Sequence, residues 1–72
     1  METQKQTLRL VREGHYLAEV QVNLIVDETG WSPYLTPDDA RKLDAVRIAL
    51  KQGDLETAKR LGRVFELLPI SA

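Results

Sequence analysis

The residues that could do chemistry are few, and they are scattered. His15 is the single histidine of the chain. A nucleophile or general base needs a partner held within hydrogen-bond reach. The chain has no cysteine and no serine in a nucleophile-elbow pattern. His15 follows Gly14 in a short turn, where an exposed polar side chain is expected. Asp38, Asp39 and Asp44 are the densest carboxylates. Magnesium or calcium would need several oxygens converging, as from one loop. Asp38 and Asp39 are instead adjacent at a helix start and diverge, and the helix dipole accounts for both. Gly14, Gly30, Gly53 and Gly62 are isolated, and none falls in a phosphate-cradling pattern. The residues therefore name no catalytic group, no cofactor site and no metal site, and the reading is a non-enzyme.

Binding residues are easier to name. Trp31 and Tyr34 flank Pro33 in a loop, and both residue types are enriched in interface hot spots. The competing role is to cover the open end of a small core; this suits Trp31 better and leaves Tyr34 open. Ile48 falls off the apolar stripe of its helix and offers a second contact side. Trp31, Tyr34 and Ile48 are thus the candidate partner-binding residues. Lys59, Arg60 and Arg63 are the candidate nucleic-acid-binding residues, because TAKRLG resembles the second helix of a helix-turn-helix. Interleaved acids and a long preceding helix favour a solvated helix face instead. A ribbon-helix-helix arrangement, with TLRLVR reading DNA, fails on the long second strand and the long loop after it.

The elements that must position these residues follow from periodicity. Residues 1–6 are polar and read as a frayed end. Thr7–Arg12 reads as a strand with Leu8 and Leu10 on one face. Gly14 can take a positive φ and turn the chain. From 17 to 26, Ala18, Val20, Val22, Leu24 and Val26 alternate with a mixed face, the strongest strand signal present. The two runs predict a hairpin over 7–12 and 16–26 with one buried and one wetter face. Residues 27–35 read as a loop, with Gly30 at a turn and Pro33 extending Ser32. Thr36 is placed to cap a helix that starts at Pro37. Ala40, Leu43, Val46 and Leu50 form its apolar stripe over 37–52, across the face bearing Val20, Val22 and Leu24. Gly53 suits the residue just past its end. Asp54 then caps a short second helix, with Leu55, Ala58 and Leu61 inward and an end near Gly62. Val64–Leu68 reads as a third strand rather than as more helix, because Gly62 breaks the helix and Pro69 stops an edge strand.

The fold class is α+β: one small domain over residues 1–72, an antiparallel β-hairpin followed by two helices and a short C-terminal strand. A chain of 72 residues buries only about 60% of its unfolded surface, so association with a second chain is a natural source of stability. Ten basic and eleven acidic residues give a formal charge of −1, which favours neither nucleic acid nor an anionic membrane. No apolar run is long enough for a membrane span, and the polar start METQKQT is not a secretory signal. Cytoplasm is the default.

Five stretches carry a likeness: YLAEV at 16–20, GWSPYL at 30–35, KLDAVRIAL at 42–50, GDLETA at 53–58 and RVFEL at 63–67. Together, from about Gly14 to Ile70, they resemble a family of small bacterial and cyanobacterial proteins of unknown function. The resemblance implies a compact stand-alone protein with no assigned active site. Some members resemble the antitoxin halves of small toxin–antitoxin pairs, which implies a protein partner. This chain has Gly62 and Leu68 where similar sequences often show alanine and threonine. The departures bear on the end of the second helix and on the solvent face of the last segment.

The expectation is therefore a small interaction protein that binds a partner protein, antitoxin-like, or itself. The alternative is a DNA-binding regulator using the helix at 54–63. Neither a small-molecule substrate nor a cofactor is indicated.

Overall fold

The computed structural model describes residues 3–27 and 32–71. Six elements follow in order: β1 (Thr3–Glu13), β2 (Tyr16–Val26), β3 (Tyr34–Leu35), α1 (Pro37–Lys51), α2 (Leu55–Leu61) and β4 (Arg63–Glu66). This is the expected α+β plan, with one short strand added.

β1 and β2 form an antiparallel hairpin whose register runs unbroken from Glu13 opposite Tyr16 to Thr3 opposite Val26. Gly14 has φ 59°, and among the described residues no non-glycine residue has positive φ. Positive φ at the first loop residue alone is the φ signature of a type II′ turn, which matches the twist of the flanking strands. The frayed end read for residues 1–6 is corrected: Thr3–Gln6 are paired with Asn23–Val26. The polar composition misled because main-chain pairing needs a free strand edge, not apolar side chains. Gln6 and Gln21 add a side-chain hydrogen bond of 2.8 Å across the pair. Met1 and Glu2 lie outside the described residues.

β2 is the central strand. Along its outer edge β3 pairs at Leu24 and Ile25, and β4 pairs at Tyr16–Glu19. β3 lies inside the stretch expected to be loop, where the chain turns back beside β2 before entering α1. Gly30, expected at that turn, lies outside the described residues. β4 is a strand, as read, but shifted to Arg63–Glu66. Leu67 has left the ladder and donates its N–H to the His15 carbonyl at 2.6 Å.

α1 forms where its caps dictate. Thr36 Oγ1 accepts from the Asp39 amide at 3.2 Å, and Pro37 opens the first turn. At the other end the Gly53 amide reaches the Leu50 carbonyl and the Asp54 amide reaches that of Ala49. These two bonds make a Schellman motif, with Gly53 at φ 72°. Asp54 then caps α2 through the Thr57 amide at 3.2 Å. The helices pack on one face of the sheet. The buried core is Val11, Ala18, Val20, Val22, Val46, Ala49, Leu50 and Ala58. Leu24 is half-buried and Leu43 packs against this cluster. Ala40, expected in the stripe, is exposed. At 3.6 residues per turn it lies about 120° round the helix from Val46.

Two features seat the helices. Between β3 and β4 the edge of β2 is closed by α1 side chains. Asp39 Oδ2 accepts from the Asn23 amide at 2.7 Å, and Lys42 Nζ donates to the Gln21 carbonyl at 3.0 Å. At the end of α2, Gly62 passes directly over β2. A Cβ there would overlap the Glu19 carbonyl oxygen and stand 3.1 Å from Val20 Cγ2.

Candidate partner-binding face

In an antiparallel sheet, residues directly opposite share a face. Val11 opposes Ala18 and Arg9 opposes Val20, which places the odd residues of β1 on the helix side. Leu8 opposes Gln21, Leu10 opposes Glu19 and Arg12 opposes Leu17, on the other side. β4 adds Phe65 beside Leu17 and Arg63 beside Glu19. β3 adds Tyr34 beside Ile25. No described element covers this second face. Leu8 is 58% exposed and Leu10 63%, and Phe65 and Tyr34 are exposed as well. Phe65 is directly opposite Leu17, Leu10 lies diagonal to Leu17, and Leu8 follows along β1, with Glu19 and Gln21 between the leucines of β1 and β4 and with Arg12 and Arg63 beside them. The Arg63 guanidinium lies 5.2 Å from the Phe65 ring centroid, a cation–π distance. The wetter face of the sequence reading therefore carries exposed apolar side chains interleaved with polar and charged ones.

Of the three candidate partner-binding residues, Tyr34 lies on this face. Ile48 does not: it is 55% exposed on α1, opposite the buried stripe. The two are separated by the whole thickness of the domain and cannot form one site. Trp31 lies outside the described residues. The sequence reading missed Leu8, Leu10 and Phe65. The signal for the leucines was present in the turn: pairing Glu13 with Tyr16 sends Leu8 and Leu10 to the face opposite Val20 and Val22.

Lys59, Arg60 and Arg63 are brought together. They line an open groove with Lys42, which the sequence reading had not included, and with Glu19. Much of this charge is engaged within the domain. Lys42 holds the Gln21 carbonyl, Lys59 lies 3.5 Å from Glu56, and Arg63 stacks on Phe65.

The candidate chemical groups have structural roles. His15 is exposed in the hairpin turn. Asp38 pairs with Arg41, Asp44 lies 3.3 Å from Arg47, and Asp39 holds the edge of β2. Among the described residues no three His, Asp or Glu side chains converge as a metal site would require. Among the described residues Asp54 has a displaced pKa: hydrogen bonds from the Thr57 hydroxyl and amide, with Arg60 nearby, hold its carboxyl below the usual value. That is the signature of a helix cap.

Compared with protein-family models, with curated proteins and with solved structures, the chain has no match in any of the three.

Proposed function

We propose that this chain is a small non-enzymatic interaction protein that binds a partner protein through the uncovered face of its sheet. The observation that carries the reading is the exposure of Leu8, Leu10 and Phe65 together on a face no described element covers. Exposed apolar patches rimmed by polar groups mark interaction sites. The rim suits a partner presenting apolar side chains with acidic groups to meet Arg12 and Arg63. The resemblance to antitoxin-like proteins supports a small toxin as that partner, in the cytoplasm. No described helix is long and apolar enough to cross a membrane.

The test places a photo-crosslinking residue at Leu10 or at Ile48 in the native host. A discrete protein adduct from Leu10, lost on Phe65→Asp and not formed from Ile48, is the expected outcome. An adduct from Ile48 alone would move the interface to the helix layer and overturn the reading. Growth rescue on co-expression with an adjoining toxin-like reading frame would identify the partner.

A second reading keeps the DNA-binding regulator, because Lys42, Lys59, Arg60 and Arg63 line one groove. The formal charge of −1 limits it, since phosphate contacts supply most non-specific affinity. Weak, salt-sensitive gel shifts are expected. Nanomolar, sequence-dependent binding to the gene's own upstream DNA, lost on Lys59→Ala with Arg60→Ala, would make this reading the primary one.

A further inference from the structure

β1 is an edge strand of 11 residues, about twice the usual length. Among the described residues it pairs with β2 alone. Natural edges are blunted by shortness, charged side chains, proline, bulges or a covering loop. β1 has the charges, at Lys5, Arg9 and Arg12, and lacks the other devices. β1 contains no proline, its register is unbroken, and its outer side has no described neighbour.

The outward groups of β1 follow from β2. The odd residues of β2 and the turn direct their main chain away from β1: the His15 carbonyl meets Leu67, that of Gln21 meets Lys42, and the Asn23 amide meets Asp39. The even residues of β2 therefore bond to the odd residues of β1 opposite them. Gln4, Gln6, Leu8, Leu10 and Arg12 are left with N–H and C=O groups pointing out of the sheet.

We propose that the occupant of this edge is a second copy of the chain, paired antiparallel β1 to β1 about a two-fold axis at Leu8. The inference goes beyond the open-face reading and needs no second gene product. A two-fold normal to the sheet keeps side-chain faces matched, so only registers that pair even residues with even ones are available. The register centred on Leu8 pairs Thr3 with the partner subunit's Glu13 and so overlaps all 11 residues of the strand. Its outward groups meet as Gln4 with Arg12, Gln6 with Leu10, Leu8 with Leu8, and the symmetric pairs. With two bonds per reciprocal pair this gives about ten main-chain hydrogen bonds, the number a standard interface carries.

Charge is compatible with the same register. Lys5 faces the partner subunit's Val11, Arg9 faces Thr7, Arg12 faces Gln4 and Glu13 faces Thr3; no like charges are directly opposed. A slip one way sets Lys5 against Arg9, which is unfavourable; a slip the other way sets Arg9 against its own copy but Lys5 against the partner subunit's Glu13, and it is disfavoured by the strand overlap it gives up. α1 runs from the Asn23 edge of the sheet to Glu13, which Arg47 approaches at 4.0 Å. The two copies of α1 therefore reach the seam at its opposite ends. On the open face Leu8 meets its copy and Leu10 lies diagonal to it, so the two apolar patches join across the seam.

Sedimentation velocity of the purified chain should show a dimer at roughly 100 μM. The chain has no cysteine, so single cysteines read the register. Leu8→Cys places the two Cα atoms about 5.5 Å apart, within disulfide reach, and should oxidise to a covalent dimer. Leu10→Cys places them roughly 13 Å apart along the strands and should stay uncrosslinked. Gln6→Pro removes one outward N–H without touching the β2 ladder, which edge strands tolerate. It should raise the dimer dissociation constant at least about tenfold and shift the melt of the dilute chain only slightly, by the exposed Gln6–Gln21 side-chain bond it also removes. A monomer at this concentration overturns the proposal, and so does a dimer in which Leu10→Cys crosslinks as readily as Leu8→Cys. If Gln6→Pro does not fold, the cysteine pair still decides. Because only the purified chain is used, a negative result leaves the heterologous reading standing, and loss of the host adduct leaves this one standing.

Discussion

Gly62→Ala tests how tightly the helical layer is seated on the sheet. The methyl group would overlap the Glu19 carbonyl oxygen and press on Val20, whose side chain is fully buried. The obstacle is main chain of the central strand, so no side chain can swing aside. Gly62 must move on the order of 1 Å to restore ordinary van der Waals separation. It is tied on both sides, by its amide to Ala58 at 3.1 Å and by Arg63 paired with Glu19. Overpacking of this kind costs typically 1–3 kcal/mol. Restricting the unfolded chain returns about 0.4–1 kcal/mol. The backbone obstacle puts the cost in the upper part of its range, so the net loss should be about 1–2.5 kcal/mol. In a domain this small that is a drop of roughly 5–20 °C in Tm. Circular dichroism melts and urea titrations of the two proteins give the number, and amide exchange in Arg63–Glu66 shows whether β4 loosens with it. An unchanged or raised Tm, with β4 protected as in the parent, would refute the reasoning.

Two further outcomes are expected. Asp39→Ala leaves the part-buried Asn23 amide without its carboxylate and should cost about 1–3 kcal/mol by urea titration, while Asp39→Asn should recover part of that. Asp54 has its pKa lowered by Thr57, so its folded value lies below the unfolded 3.8. Its ionised cap therefore favours the fold above that value and the contribution is lost as pH falls through the lowered one. The Tm difference between the parent and Asp54→Ala should be constant from neutral pH down to about pH 5 and shrink as pH falls below the unfolded value towards the lowered one.

How much could be read from sequence depended on whether the signal was local. The caps at Thr36 and Asp54 and the stop at Gly53 are set by neighbours three or four residues away, and α1 and α2 appeared where these residues put them. The alternation in β2 fixed its buried face, and Val20 and Val22 occupy it. Thr3–Gln6 were illegible because a polar edge segment becomes a strand only when a longer neighbour offers it a ladder. Tyr34–Leu35 were illegible for the same reason: two residues carry no periodicity, and their partner lies nine or more positions back. Ala40 was a counting error of helical phase. The open face required combining the turn register with the leucine spacing, since each alone leaves Leu8 and Leu10 on an unspecified side. The gathering of Lys42 with Lys59, Arg60 and Arg63 depends on how α1 lies against α2, which no local pattern encodes.

The edge of β2 between β3 and β4 is held by side chains of α1 rather than by another strand. Ladder amides take up deuterium when strands part. The Asn23 amide obeys a different clock, because its acceptor, Asp39, travels with the helix. Its exchange rate relative to the amides bonded to β1 separates two motions that a thermal melt reports as one: the rocking of α1 off the sheet, and the unzipping of the hairpin beneath it.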